Sequence, residues 1–178
     1  MLLNSGKFRS KALAILLLVM GFELCSAEAV IEEENLVAAL SLNVLRFTSW
    51  PEPQSNSFNL CIYGDNVTKE AFNSLENKAV GSKSLHIVSL AHLIDLDRCQ
   101  AVYMGEVKQS VLLQVFNDLR KKPVLTIGFG EAFAENGGMI GLRKINGKLA
   151  IDINLRASNE AGIVISSRLL SLANIVEQ

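Results

Sequence analysis

The chain is poor in the residues that most protein chemistry uses. Its 178 residues include two histidines, three cysteines, one tryptophan and three prolines. His86 and His92 lie six positions apart, which matches no helical or strand pairing of metal ligands, so no metal centre is expected. There is no Gly-x-Ser-x-Gly elbow, and no Ser, His and acid are arranged for acyl transfer. Net charge is also small: 17 basic against 18 acidic residues leave −1. That balance gives no general attraction to phosphate backbones and argues against nucleic-acid binding. Three prolines, 12 glycines and no internal period exclude repeats and low-complexity linkers. What the chain does have is apolar residues, 49% of the total, enough to exclude a disordered polymer.

Part of that apolar content sits at the start. Lys7, Arg9 and Lys11 precede an apolar run from Ala12 to Phe22, and small residues follow in Cys25-Ser26-Ala27 and Ala27-Glu28-Ala29. A basic region, a short hydrophobic region and an A-x-A-like end describe a secretory signal peptide over residues 1–29, cleaved after Ala27 or Ala29. The run is about half the roughly 20 residues that a spanning helix needs. An uncleaved anchor is the alternative, and bulky Leu24 before Cys25 argues against lipid attachment there. Residues 30–178 then form a single domain. Cleavage removes Cys25 and leaves Cys61 and Cys99, an even number. In a reducing compartment these would be two buried thiols; after export, a disulfide between them is the leading reading.

Periodicity predicts an α/β fold. Leu36, Val37, Leu40, Val44, Leu45 and Phe47 recur at helical spacing after Glu32-Glu33-Glu34, whose charges suit a first turn, and Trp50-Pro51 ends the helix. Strands are predicted over Phe58–Tyr63, Leu85–Val88, Cys99–Met104 and Val124–Ile127. Helices are predicted from a Thr68 cap to Leu75 and from Ser110 to Leu119. Strands alternating with helices imply parallel pairing with crossovers. Asn146-Gly147 between Met139–Arg143 and Lys148–Ile153 predicts an antiparallel hairpin. A last helix is predicted over Ser167 to Val176, with Leu169, Leu170, Ala173 and Val176 inward. The architecture is thus a mixed, largely parallel sheet with crossover helices and an antiparallel C-terminal hairpin.

Glycine-rich segments give little chemistry. Gly128-Phe129-Gly130 has Phe133 where a dinucleotide fingerprint places its third glycine, and reads as a tight turn. Gly81-Ser82-Lys83-Ser84 lacks the upstream glycine and the Gly-Lys-Ser order of a phosphate loop. Gly137-Gly138 reads as a left-handed turn entering a strand. Glu32-Glu33-Glu34 reads as a solvated helix end. Phe47 and Trp50 are aromatic residues at a helix end, where core packing competes with a role as interface anchors.

Four segments, in this order, resemble a known family. They are Leu45-Arg46-Phe47-Thr48-Ser49-Trp50-Pro51, then Phe58-Asn59-Leu60-Cys61-Ile62-Tyr63-Gly64-Asp65, then Pro123–Ile127 with Phe133–Ile140, then Ile151–Leu155 with Ala161–Leu170. From about Asn35 to Val176 the chain resembles the YfiR-like periplasmic proteins. The resemblance implies a periplasmic domain without catalytic residues or cofactor. It implies a repressor that binds the periplasmic region of an inner-membrane diguanylate cyclase, controlling cyclic di-GMP and biofilm formation. An outer-membrane lipoprotein that sequesters the repressor, a homodimer and redox sensitivity belong to the same picture. Cys61 and Cys99 match one cysteine pair of the family. A second pair, expected near Gly137–Ile140, is absent, since the chain reads Met139, Gly141 and Leu142 there. Phe47 and Trp50 are the proposed partner contacts. The alternative is a small-ligand module with its pocket at the carboxyl ends of the strands, near Gly64-Asp65 and Gly128-Phe129.

Overall fold

The computed structural model describes residues 28–51, 57–94 and 96–176. The predicted signal peptide falls almost entirely on residues 1–27, outside the described part. Helix α1 covers residues 28–46. Its buried stripe is Val37, Ala38, Ser41, Leu42 and Leu45, with Val44 beside it. Leu36, predicted inward, is 55% exposed because it stands about a quarter-turn off that stripe. Glu34 does lie on the stripe, one turn before Val37 and Ala38, and is half-buried. The three glutamates are therefore neither a first turn nor a uniformly solvated end.

After α1 come β1 (Thr48–Ser49), β2 (Ser57–Tyr63), α2 (Asn66–Asn73), β3 (Ala79–Val80) and β4 (Lys83–Ser89). A 3-10 turn (Leu96–Arg98) leads to β5 (Ala101–Met104), α3 (Gln109–Asp118) and β6 (Leu125–Phe129). The chain continues with β7 (Ile140–Ile145), β8 (Lys148–Asn154), α4 (Leu155–Glu160), β9 (Val164–Ile165), α5 (Ser167–Leu170) and β10 (Asn174–Val176). Eight strands form one sheet in the order β10-β8-β7-β6-β5-β2-β4-β3, and β1 pairs with β9 in a separate ribbon. The pairs β2–β4, β2–β5, β5–β6, β6–β7 and β8–β10 are parallel, whereas β3–β4 and β7–β8 are antiparallel. The mixed, largely parallel sheet read from the sequence is the observed fold.

Alternation along the central strands sorts side chains onto two faces. Leu60, Ile62, Ala101, Tyr103, Leu125 and Ile127 pack with α1 and α2. Cys61, Val102, Met104 and Val124 point the other way, against Val115 and Leu119 at the α3 side and against Phe133. Strands covered on both faces are apolar at nearly every position, which is why they read as continuous runs.

Local chemistry sets the ends of the elements. Asp65, not Thr68, caps α2: its carboxylate accepts from the Thr68 main-chain N–H at 2.8 Å, and that bond holds the carboxyl below its usual range. The predicted hairpin is present, with Ile145 opposite Lys148 and both Asn146 (φ 50°) and Gly147 (φ 78°) left-handed. The predicted last helix is cut short. It ends at Leu170, and Asn174–Val176 instead pair in parallel with Asp152–Asn154, where Asn174 Nδ2 donates to Asp152 Oδ1 at 3.2 Å. The open edge of β8 offers backbone partners that helical spacing in the sequence cannot reveal, and β-branched Ile175 and Val176 suit the strand.

Candidate functional site: a stapled aromatic groove

All the central parallel strands begin at one edge of the sheet, and of the residues singled out in the sequence Trp50 and Cys99 lie there. Cys61 lies mid-strand in β2, and Cys99 follows the 3-10 turn that feeds β5. The two form a disulfide with a Cα–Cα distance of 5.8 Å, closing a loop of 38 positions. Main-chain pairing reinforces the staple. Gln100 N–H donates to Asn59 O at 3.0 Å, Asn59 N–H donates to Gln100 Oε1 at 2.7 Å, and Asn59 Nδ2 donates to Arg98 O at 3.0 Å. The Gln100 carbonyl then accepts from Leu125 N–H at 3.0 Å and from Trp50 Nε1 at 2.9 Å.

Trp50 is half-buried. Its ring meets Phe58 edge-on at a centroid distance of 4.7 Å, a favourable aromatic geometry. Together with Leu45, Val80, Pro123 and Val124, these rings line an open groove of about 760 Å³ at the amino ends of the strands. Cys99 and Gln100 form part of its wall. Arg46, Lys83, Lys122 and Asp97 stand around it. Phe47 is not in that wall. It sits behind β1, with its carbonyl accepting from Ser166 N–H at 2.9 Å and the Arg168 guanidinium 5.3 Å above its ring. The two aromatic residues paired by the sequence reading thus do different jobs: Trp50 borders an open concavity, and Phe47 fastens the β1–β9 ribbon.

The carboxyl ends hold a second hollow of about 730 Å³, bordered by Gly105, Lys108, Phe129 and Phe133. Phe129 is where the sequence placed a pocket, but Gly64 and Asp65 are not among its lining residues. Gly64 sits beneath Thr68, with 2.8 Å available to an added Cβ, and Asp65 caps α2. Gly128 and Gly138 face the Phe133 ring from two sides, where an added Cβ would come within 2.1 and 2.2 Å of it. The pair forms a slot for that ring. Gly137 (φ 111°) supplies the left-handed turn read from the sequence.

Among the described residues no group of three or more His, Cys, Asp or Glu side chains could hold a metal ion. His86 pairs with Glu76 at 2.9 Å. Shifted acids lie away from the groove. Burial, opposed by a hydrogen bond from Thr68, raises Glu34, and burial raises Tyr103. No helix among the described residues is long and apolar enough to cross a membrane.

The arrangement defines a disulfide-stapled α/β domain with an aromatic concavity at the amino ends of its strands. A family model described as YfiR/HmsC-like matches residues 34–174, and the chain belongs to that family. No curated protein matches it significantly. The match runs from within α1 to the first residue of β10, so it embraces the other seven strands of the sheet, the disulfide and the groove. The family is one of periplasmic, regulatory proteins associated with diguanylate cyclases.

Proposed function

We propose that this protein is an exported, non-enzymatic regulator that binds the periplasmic region of an inner-membrane diguanylate cyclase and holds it inactive. The observation that carries the reading is the family match across residues 34–174. The signal-peptide pattern at residues 1–29 supports export, and the Cys61–Cys99 disulfide fits an oxidising compartment. Repression requires only differential affinity. A regulator that binds the inactive cyclase a hundredfold better than the active one shifts the equilibrium by about 2.8 kcal/mol. A rigid contact surface serves that difference well, because little ordering entropy is lost on binding. The staple at Cys61–Cys99 and the hydrogen bonds converging on Gln100 supply such rigidity at the amino ends of the strands. We place the cyclase contact on that edge, centred on Trp50, with release by a sequestering outer-membrane lipoprotein and a homodimeric resting state as further parts of the proposal.

The test is capture of the exported protein with the cyclase from cross-linked membranes, in wild type and in Trp50→Arg. Wild type should recover the cyclase, and the variant should recover much less while keeping its circular dichroism. Equal recovery by both would remove Trp50 from the contact. Absence of the cyclase from the wild-type sample would contradict the reading.

A further inference from the structure

The groove at the amino ends carries a charge pattern that its apolar lining does not require. Among the described residues three cations border it, Arg46, Lys83 and Lys122, against one anion, Asp97. Lys122 Nζ and Asp97 are 2.9 Å apart and neutralise each other. Arg46 donates through Nε to the Ala79 carbonyl at 3.0 Å, which positions the guanidinium without compensating its charge. No acid among the described residues pairs with Arg46 or with half-buried Lys83. Both border the β3–β4 hairpin, since Ala79 and Val80 are the strand partners of Ser84 and Lys83. Two positive charges that no described acid pairs with therefore share one end of a concavity lined by Trp50 and Phe58. Its volume, about 760 Å³, falls in the range of small-molecule sites.

We propose that this groove binds a small organic anion, a carboxylate on an apolar body, with the carboxylate between Arg46 and Lys83 and the body against Trp50 and Phe58. The apolar body gains from leaving water, and the two cations choose the sign of the head group. The proposal stands apart from the cyclase reading, because binding is a property of the isolated protein.

Trp50 is the chain's only tryptophan, so its emission reads the groove alone. The exported, oxidised protein is titrated with decanoate and with 4-phenylbutyrate, each below its aggregation concentration, and with decyltrimethylammonium as the charge-inverted control. Emission and calorimetric heat are followed together. A saturable change with at least one of the two carboxylates, at least tenfold tighter than with the cation, is the expected result. Lys83→Glu should weaken the carboxylate at least tenfold and narrow or reverse the preference over the cation. Circular dichroism checks that variant's fold; if it does not fold, Lys83→Gln takes its place and should show a several-fold loss. Lack of saturation with both carboxylates overturns the proposal, as does equal binding of anion and cation or indifference to the folded Lys83 variant.

Discussion

The indole Nε1 of Trp50 donates to the main-chain carbonyl of Gln100 at 2.9 Å, joining the residue after β1, four positions beyond the end of α1 where the sequence placed the helix stop, to the residue beside Cys99 across 50 positions of sequence. That carbonyl also accepts from Leu125, so one oxygen links the end of β1, the entry to β5 and the entry to β6. Replacing Trp50 by Phe keeps a ring against Phe58 and removes one hydrogen bond. The expected loss is about 1 kcal/mol, or a Tm lower by about 2–4 °C. Trp50→Ala also empties the volume of the ring and should lose about 3 kcal/mol or more. Melting followed by circular dichroism measures both; a Trp50→Phe variant that melts like wild type would show that the hydrogen bond contributes nothing.

The disulfide is the second anchor of the same edge. Closing a loop of 38 positions should stabilise by about 3–4 kcal/mol through the entropy of the unfolded chain. Cys61→Ser should lower the Tm under oxidising conditions, and reductant should bring wild type down close to the variant. Equal Tm for wild type with and without reductant would contradict this.

The Phe133 slot makes a sharper demand. A methyl group at Gly138 would enter the ring's volume, and the ring is held edge-on against Phe116 at a centroid distance of 5.2 Å. Gly138→Ala should lose about 1–3 kcal/mol through overpacking, and Gly138→Ala with Phe133→Leu should recover part of it. Denaturant unfolding of the single and double variants decides; additive losses would show that the ring is not the obstacle.

Glu34 gives stability a pH dependence. Burial raises its carboxyl above the ordinary value, with Asp65 and Glu33 adding repulsion, and its Oε2 is buried without a hydrogen-bond partner. The folded chain therefore holds this proton more tightly than the unfolded chain does. The stability involved is fully present below the ordinary pKa and is lost as pH rises through the raised one. Glu34→Gln should match wild type at about pH 4 and exceed it at about pH 8. Comparing the Tm difference between variant and wild type across that range cancels the other carboxylates; a difference independent of pH would contradict the assignment.

What the sequence made legible follows from how local each feature is. The Asn146-Gly147 hairpin, the four core strands of the parallel region and the α3 helix rest on neighbouring residues and a single period, and each was readable within two or three residues. Asp65 was missed as a cap because Thr68 is also a good capping residue, and only the turn geometry shows which side chain reaches the free N–H. The β10 strand was missed because its partner, β8, lies about twenty residues away and its own spacing fits a helix. The disulfide was readable from cysteine number together with the signal-peptide pattern at residues 1–29. The groove was not: its wall comes from the ends of α1 and β3, from β1 and the residues after it, from the start of β2 and from the entries to β4, β5 and β6, and no stretch of sequence announces their convergence. The sequence placed a pocket at the carboxyl ends by general rule, and the more apolar concavity stands at the opposite edge, where Trp50 marks it.

The central claim is repression of a membrane cyclase from outside the cytoplasm, and cyclic di-GMP in the cell is its most direct readout. Deleting the gene should raise cyclic di-GMP, the full chain should restore the lower level, and a chain lacking residues 1–29 should fail to do so. An unchanged level after deletion, or full restoration by the chain without those residues, would contradict the account.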